Sequence, residues 1–312
     1  MQFEKLSKLH HFFLMKPKNL IIIIIILSVN FQIYSQYSFT KKKELFVYNT
    51  LSNGIIGGIG AMLHKNNETA GKAFIKGFYK GVLSGGVIYL GKDLISEFSR
   101  TNNFSYVWGS KLITYTGFSM LENTVNNQPL FENLYFHIGF LRFDVKPKNK
   151  FRIKTRIMPI SLGTTLWLLT KYKLDVKYSV FTGIFVFTGE KNSFTIQNKS
   201  ITKLGLSYSG NNIFINNRYP LFHITKQKIF SHELIHYYQA ENYSSLNFVY
   251  KNIEKKLIRK KTEEWINKYF YIDYNALTFR LFYSTSYIFF NIKNLNYKKN
   301  IFESEAYFFA DK

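Results

Sequence analysis

The residues best able to do chemistry are His232, Glu233 and His236, within the stretch IFSHELIHYYQAENY. If this stretch is helical, His232 and His236 are four residues apart and present two imidazoles on one face, where they can bind one ion. Glu233 stands about 100° further around the axis, beside that ion. A zinc ion with three protein ligands leaves a position for water, lowers its pKa toward about 7 and needs a carboxylate to accept the proton. The pattern predicts a Zn²⁺ site with Glu233 as general base.

The helix itself is predicted from its apolar residues. Phe230, Leu234 and Tyr238 recur every four residues and form a stripe for the core. A random His-Glu-x-x-His is expected in roughly one such sequence in a hundred. The alternative interpretation is two surface histidines on an ordinary helix.

A catalytic zinc site needs a third protein ligand, and the sequence narrows the choice. The metzincin continuation would place Gly at 239 and His at 242, where this chain has Gln239 and Asn242. No histidine follows His236. A downstream carboxylate is therefore predicted, as in sites with two His and one Glu.

The segment IFESEAYFFADK supplies that carboxylate. If it is helical, Glu303, Ala306 and Ala310 share one face, and the small alanines allow close packing against the His-containing helix. We predict Glu303 as the third metal ligand, with Glu305 as the alternative.

Together, SHELIHYYQ and ESEAYFFA resemble the gluzincin group of zinc metallopeptidases. They are most similar to bacterial relatives with HExxHxxQ followed by an ExEAxxxA-type segment, some of them predicted envelope proteins. The resemblance implies zinc binding by His232, His236 and Glu303, with Glu233 as general base. Several members have Asp where this chain has Tyr307, which leaves the hydrogen-bond partner of a ligand histidine unidentified.

The same resemblance implies an α+β, zincin-like fold: a small antiparallel sheet packed on the active-site helix, with an edge strand beside the cleft. NNIFINN, Asn211 to Asn217, lies just ahead of the helix and is the predicted edge strand. A peptide substrate could add to such a strand by main-chain pairing. For stabilisation of the oxyanion, Tyr237, Tyr307 and His223 are nominal candidates.

Periodicity divides the remaining chain into regions. Residues 36–128 are glycine-rich and mainly helical in pattern, with glycines recurring every four residues in GFYKGVLSGG. Residues 129–312 form the predicted zincin-like domain, β-rich over 130–220 and helical over 225–312. SVFTGIFVFTGE is predicted to be a strand.

The N-terminal residues 1–35 have the layout of a secretory signal peptide. The apolar run LIIIIIILSV follows two lysines and precedes a possible cleavage point after Ser35, and Met15 begins a shorter version of the same layout. The run is about half the length needed to span a bilayer. The chain has no cysteine, which excludes disulfides and restricts metal ligands to His and carboxylates.

The net charge of +23 would favour nucleic acid in a cytoplasmic protein. Export to the periplasm or cell envelope, or secretion, favours anionic envelope surfaces instead, and compositional bias toward Lys is the simpler explanation. The prediction is an exported zinc metallopeptidase that hydrolyses peptide or protein substrates and does not bind nucleic acid. Alternatives are a degenerate zinc-binding envelope protein that acts as a binding module, and an outer-membrane-associated β protein with incidental histidines.

Overall fold

A computed structural model describes residues 41–147, 151–190, 194–196, 199–201, 205–208, 211–217, 223–247, 259–275, 279, 283 and 300–311. The predicted signal peptide, and much of the predicted helical region between 248 and 299, lie outside these residues. The described chain combines helices with small β-sheets, which confirms the α+β class. Within it, no helix combines the length and apolarity needed to cross a membrane.

Three long helices open the described chain: α1 (Lys42–Leu63), α2 (Ala70–Thr101) and α3 (Ser105–Val125). The predicted glycine stripe explains how α1 and α2 pack, because a Cβ at Gly81 would overlap the carbonyl oxygen of Asn53 on α1. The backbones therefore approach closely. Polar residues lie at this contact too, among them the buried Asn49 and Lys92.

The next three strands form an antiparallel sheet in the order β1 (Leu134–Ile138), β2 (Leu141–Lys146) and β3 (Arg152–Ile157). The Ser119 hydroxyl joins α3 to β1, since Ser119 Oγ accepts a hydrogen bond from the Tyr135 amide at 2.9 Å. This sheet places His137 and Arg142 in the interior of the protein.

A second, four-stranded sheet has the order β4 (Lys173–Leu174), β5 (Phe185–Gly189), β9 (Asn212–Asn216) and β8 (Gly205–Tyr208). It is mixed, because β5 and β9 run parallel while the outer pairs are antiparallel. The prediction of a purely antiparallel sheet is wrong for this pair. A small hairpin, β6 (Phe194–Ile196) with β7 (Lys199–Ile201), lies between β5 and β8 in sequence.

Two helices interrupt the region predicted to be β-rich: α4 (Pro159–Leu169) and α5 (Val176–Thr182). The strand predicted over SVFTGIFVFTGE is helical in its first part. Asp175 caps α5 by accepting from the Tyr178 amide at 3.0 Å, and Gly183 ends it with φ +63°, a left-handed conformation that glycine adopts without strain. The strand begins only at Phe185.

The two faces of the four-stranded sheet pack against different elements. On one face, Phe187 and Phe214 form a small cluster with Leu168 of α4. On the other, Val186, Ile213 and Ile215 join the main core, which includes residues of α6 (Lys226–Asn242). This helix carries the His-Glu-x-x-His segment.

The strand predicted to lie at the sheet edge lies instead in its interior. Within the described sheet, β9 is hydrogen-bonded on both sides, to β5 and β8, and all five of its residues are buried. Alternation alone could not distinguish an edge strand from a central one. The strand at the end of the sheet nearest α6 is β8, whose Gly205 lies directly against Glu233.

Later in the described chain lie α7 (Lys260–Tyr269) and α8 (Ile301–Ala310). Asn300 caps α8, since its side-chain oxygen accepts from the Phe302 amide at 3.0 Å. Ala306 and Ala310 are buried, and α8 packs against α6 and α2. This packing brings Glu303, in the first turn of α8, to the histidines of α6.

Candidate metal centre

The two histidines of α6 lie on one face of the helix, as the i, i+4 spacing requires. Their Nε2 atoms are 3.1 Å apart, and the rings meet edge to face with centroids separated by 4.7 Å. His236 is buried, whereas His232 has a side chain 14% exposed. The two Nε2 atoms therefore converge on one point. This point is reachable from solvent on the His232 side of the pair.

Glu303 completes this cluster from α8. Its Oε2 lies 3.3 Å from His232 Nε2 and its Oε1 lies 3.3 Å from His236 Nε2. One ligand atom from each of the three residues can be chosen so that all lie within 4.8 Å of one another. Two imidazole nitrogens and one carboxylate oxygen form a donor set that suits Zn²⁺ and other divalent transition metals. The group His232, His236 and Glu303 can hold a metal ion.

The charges in the cluster are coupled. Burial opposes charge on His236, but the Glu303 carboxylate outweighs it and raises the pKa of His236 to about 9. Burial likewise opposes charge on Glu303, but His236 and His232 hold its pKa well below the ordinary value. Without a metal, a proton on the histidines thus compensates the buried carboxylate, and a divalent cation would replace that proton.

Glu233 is buried on α6, next to His232 and under the strand β8. A Cβ built at Gly205 would lie only 2.6 Å from Glu233 Oε1. The absence of a side chain at Gly205 therefore lets the strand backbone approach the carboxylate. Glu233 is held between the helix and the backbone of β8.

Two tyrosines line the cluster. Tyr283 donates a 2.6 Å hydrogen bond to Glu303 Oε1, so the hydroxyl orients this carboxylate. Tyr307, one turn beyond Glu303 on α8, places its ring 4.5 Å from that of His232. Burial first, and Glu303 second, raise the pKa of Tyr307 to about 12, so its hydroxyl keeps its proton at neutral pH.

Gln239 is the hydrogen-bond partner of His236. Its Oε1 lies 2.8 Å from His236 Nδ1, and its Nε2 donates to Phe302 O and Glu305 Oε2, both at 2.9 Å. The sequence analysis used Gln239 to exclude the metzincin continuation and as the last residue of the HExxHxxQ pattern, but predicted no contact between Gln239 and a histidine. The available signal was its spacing, since a residue three positions after His236 lies on the same side of the helix.

Three other predicted residues lie away from the three ligand atoms. Glu305, the alternative third ligand, accepts hydrogen bonds from Lys92 and Asn49 on the far side of α8. The hydroxyl of Tyr237 is bonded to that of Tyr115 in the core, on the opposite side of α6. His223 is exposed with φ +53°, three residues before α6 begins. Of the nominal oxyanion-stabilising residues, only Tyr307 adjoins the cluster.

The chain was compared with known protein families, curated proteins and solved structures. None of them matches. The geometry of the cluster and its surroundings therefore carries the functional argument.

Proposed function

We propose that the chain is an exported, gluzincin-type zinc metallopeptidase with a zincin-like active site. The observation that carries the proposal is the convergence of His232, His236 and Glu303 beside a second buried carboxylate, Glu233. Structural metal sites use all positions for protein ligands, whereas hydrolytic sites combine three ligands with a separate general base. The cluster, with three ligand residues and Glu233 beside them, has the composition of a hydrolytic site.

The division of labour follows from the positions of the side chains. A bound Zn²⁺ would lower the pKa of a water molecule and polarise the carbonyl of the scissile bond. Glu233 would accept the proton of the attacking water and deliver it to the leaving amine. Glu303, oriented by Tyr283, would supply negative charge to the ion. Tyr307, protonated beside His232, is the best placed donor for the developing oxyanion.

A peptide is the substrate that this surface fits best. Within the described part of the four-stranded sheet, β8 lies at the end of the strand order, and Gly205 brings its backbone against Glu233. A peptide that paired with the free side of β8 would run past the general base without a sequence-specific pocket. Export through residues 1–35, and attraction of the +23 chain to an anionic envelope surface, are parts of the same proposal.

Zinc content and cleavage, measured on the purified full chain, test this proposal. We expect about one zinc per chain by elemental analysis, as the one three-ligand cluster among the described residues implies. Glu233→Gln should retain zinc and lose cleavage of a peptide library by at least about 100-fold, the range for a general base. Wild-type protein that takes up no zinc would rule the proposal out.

A degenerate zinc-binding protein is the second candidate, and Tyr307 in place of Asp favours it. Such a protein would bind zinc as tightly as the enzyme but cleave no peptide. Zinc-loaded wild type that shows the same negligible cleavage as Glu233→Gln would select this candidate.

A further inference from the structure

A continuous path of buried polar contacts leads away from the metal cluster into the glycine-rich helices. It begins at His236 and passes through Gln239 on α6 to Glu305 on α8. It ends at Lys92 of α2 and Asn49 of α1, which bind Glu305 Oε1 at 2.9 and 2.8 Å. All five residues are at most 7% exposed.

The amide of Gln239 has only one orientation that satisfies its neighbours. Its NH₂ group faces the carbonyl oxygen of Phe302 and a carboxylate oxygen of Glu305, neither of which can donate. The amide oxygen must therefore face His236 Nδ1, and this nitrogen must carry a proton to donate to it. In the neutral ring the unprotonated nitrogen is then Nε2, the atom that faces His232 and Glu303.

Glu305 can hold the Gln239 amide in one orientation because the Glu305 carboxylate is itself held by hydrogen bonds. The Lys92 ammonium forms a buried ion pair with Glu305 and also donates to Asn49 Oδ1 at 3.0 Å. Asn49 in turn donates to Leu45 O and to Glu305 Oε1. A buried ion pair contributes little net stability compared with apolar residues of the same volume. The position of the Lys92–Glu305 pair next to a metal cluster is therefore better explained by its orienting of Gln239 than by a gain in stability.

We propose that Lys92, Asn49 and Glu305 are positioning residues that act through Gln239 to hold His236 as the Nδ1-protonated tautomer, with Nε2 presented to a divalent metal. The inference rests on the proposed function for the identity of that metal. It makes helices α1 and α2 a working part of the centre. A metal-binding histidine commonly donates its other N–H directly to a carboxylate, whereas here the glutamine amide stands between them.

The first test compares two buried lysines by titration of the full chain with Zn²⁺ in the presence of a competing chelator. Loss of a hydrogen-bond partner behind a ligand typically lowers metal affinity about 10- to 100-fold, and we expect this for Lys92→Met and for Gln239→Leu. Lys111→Met is the matched control, because Lys111 is equally buried but donates to the carbonyls of Thr182 and Gly183, which are not part of the cluster. Lys92→Met that binds zinc like Lys111→Met and wild type would overturn the proposal.

Lys92→Met leaves the buried Glu305 carboxylate without its cation, which can destabilise the fold. A double variant therefore provides a second test of the positioning role. Lys92→Met with Glu305→Gln removes both charges at nearly constant volume. We expect its stability to recover relative to Lys92→Met while its zinc affinity stays below that of wild type. Wild-type zinc affinity in the folded double variant would contradict a positioning role.

The tautomer can be read without enzymatic activity, from the ¹⁵N chemical shifts of the His236 ring. In zinc-loaded wild type, and in the neutral form of the ring in metal-free wild type, Nδ1 should carry the proton. The double variant should give a mixture of tautomers. An unprotonated Nδ1 in wild type, or the same single tautomer in both proteins, would refute the inference. If wild type binds no zinc, the proposed function fails, but the metal-free shifts still decide this point.

Discussion

The two sides of α6 carry similar residue types, but the groups are ionised on one side and neutral on the other. On one side, His232, His236 and Glu303 form a cluster whose carboxylate is held ionised. On the other, a tyrosine–carboxylate cluster comprises Tyr115, Tyr135, His137, Tyr237 and Glu241. Here burial raises the pKa of Glu241 to about 8 and lowers that of His137 well below its ordinary value. His137 Nδ1 lies 3.7 Å from Glu241 Oε2, but this is not an ion pair, because both groups are neutral at pH 7.

Accessibility and local partners explain this difference. His232 is partly exposed, and the Nε2 atoms of both imidazoles lie 3.3 Å from the Glu303 carboxylate. Glu241 is as buried as Glu303, but it receives neutral hydrogen bonds from Tyr135 and Asn275. Arg142 favours ionisation of Glu241 without overcoming burial, since Glu122 and Asp144 engage the same guanidinium. Residue types alone therefore do not identify a metal site.

The largest contrast should come from adjacent residues on the two sides of the helix. His236→Ala removes one of three ligands and should abolish stoichiometric zinc binding, because a two-ligand site cannot hold the ion against a chelator. Tyr237→Phe removes a hydroxyl from the tyrosine–carboxylate cluster and should leave zinc content at the wild-type level. Elemental analysis after dialysis measures both. Equal zinc in the two variants would show that α6 has no metal-binding side.

Gly205→Ala should separate zinc binding from catalysis on the metal side. The new Cβ would overlap Glu233 Oε1, so either Glu233, the proposed general base, or β8 must move. A displacement of about 1 Å at a reacting group can cost about 100-fold in rate. We expect a loss of that order in kcat/KM for peptide cleavage, with zinc content preserved. Unchanged cleavage would mean that β8 does not press on the base.

The pH dependence of the unfolding free energy should report on Glu241, in the tyrosine–carboxylate cluster on the other side of α6. The pKa of Glu241 is higher in the folded protein, about 8, than its ordinary value of 4.5. Between these pH values the folded state binds more protons than the unfolded state, so stability contributed by Glu241 is full below about pH 4.5 and is lost as pH rises toward 8. The slope is at most about 1.4 kcal/mol per pH unit.

Urea unfolding of metal-free protein between pH 5 and 8 measures that slope. Glu241→Gln should make this slope smaller. A weaker decline of stability with pH should remain, because burial also raises the pKa of the neighbouring Asp273, to about 7. If Glu241→Gln and wild type lose stability in parallel, Glu241 is ionised in the folded protein.

The smallest expected effect concerns a single hydroxyl. Tyr115→Phe removes the partner of the Tyr237 hydroxyl in a buried environment, which should cost about 1–2 kcal/mol of unfolding free energy. Thr116→Val on the same helix, where the hydroxyl is exposed and bonds only to the preceding turn, serves as control. Zinc affinity should be the same in both. A change in zinc affinity with Tyr115→Phe would show coupling across α6.

Sequence reasoning was strongest where chemistry and helical spacing coincide. The spacing of His232 and His236, and of Phe230, Leu234 and Tyr238, predicted one ligand-bearing and one buried stripe on α6, and the three apolar residues are fully buried. The separate nomination of Glu303 depended on the absence of later histidines. Such local rules work because helix geometry fixes which residues share a face.

The same reasoning failed where the outcome depends on distant partners. NNIFINN is central and not at the edge because β5, more than 20 residues earlier, pairs with it in parallel. Glu305 binds Lys92, which is 213 residues away in sequence. Nothing in the local pattern around Glu305 distinguishes a metal ligand from the partner of a buried lysine.

The bond between Asn49 and Glu305 joins residues 256 positions apart in the sequence. During synthesis, therefore, α1 and α2 emerge long before α8, and the nascent chain lacks Glu303 of the metal cluster for that time. Contacts of such wide separation also form late in folding, because closing a long loop costs entropy before any contact compensates for it. The three-residue cluster therefore cannot form before residue 303 has been synthesised, and on the proposed function the chain has no complete metal site before that point.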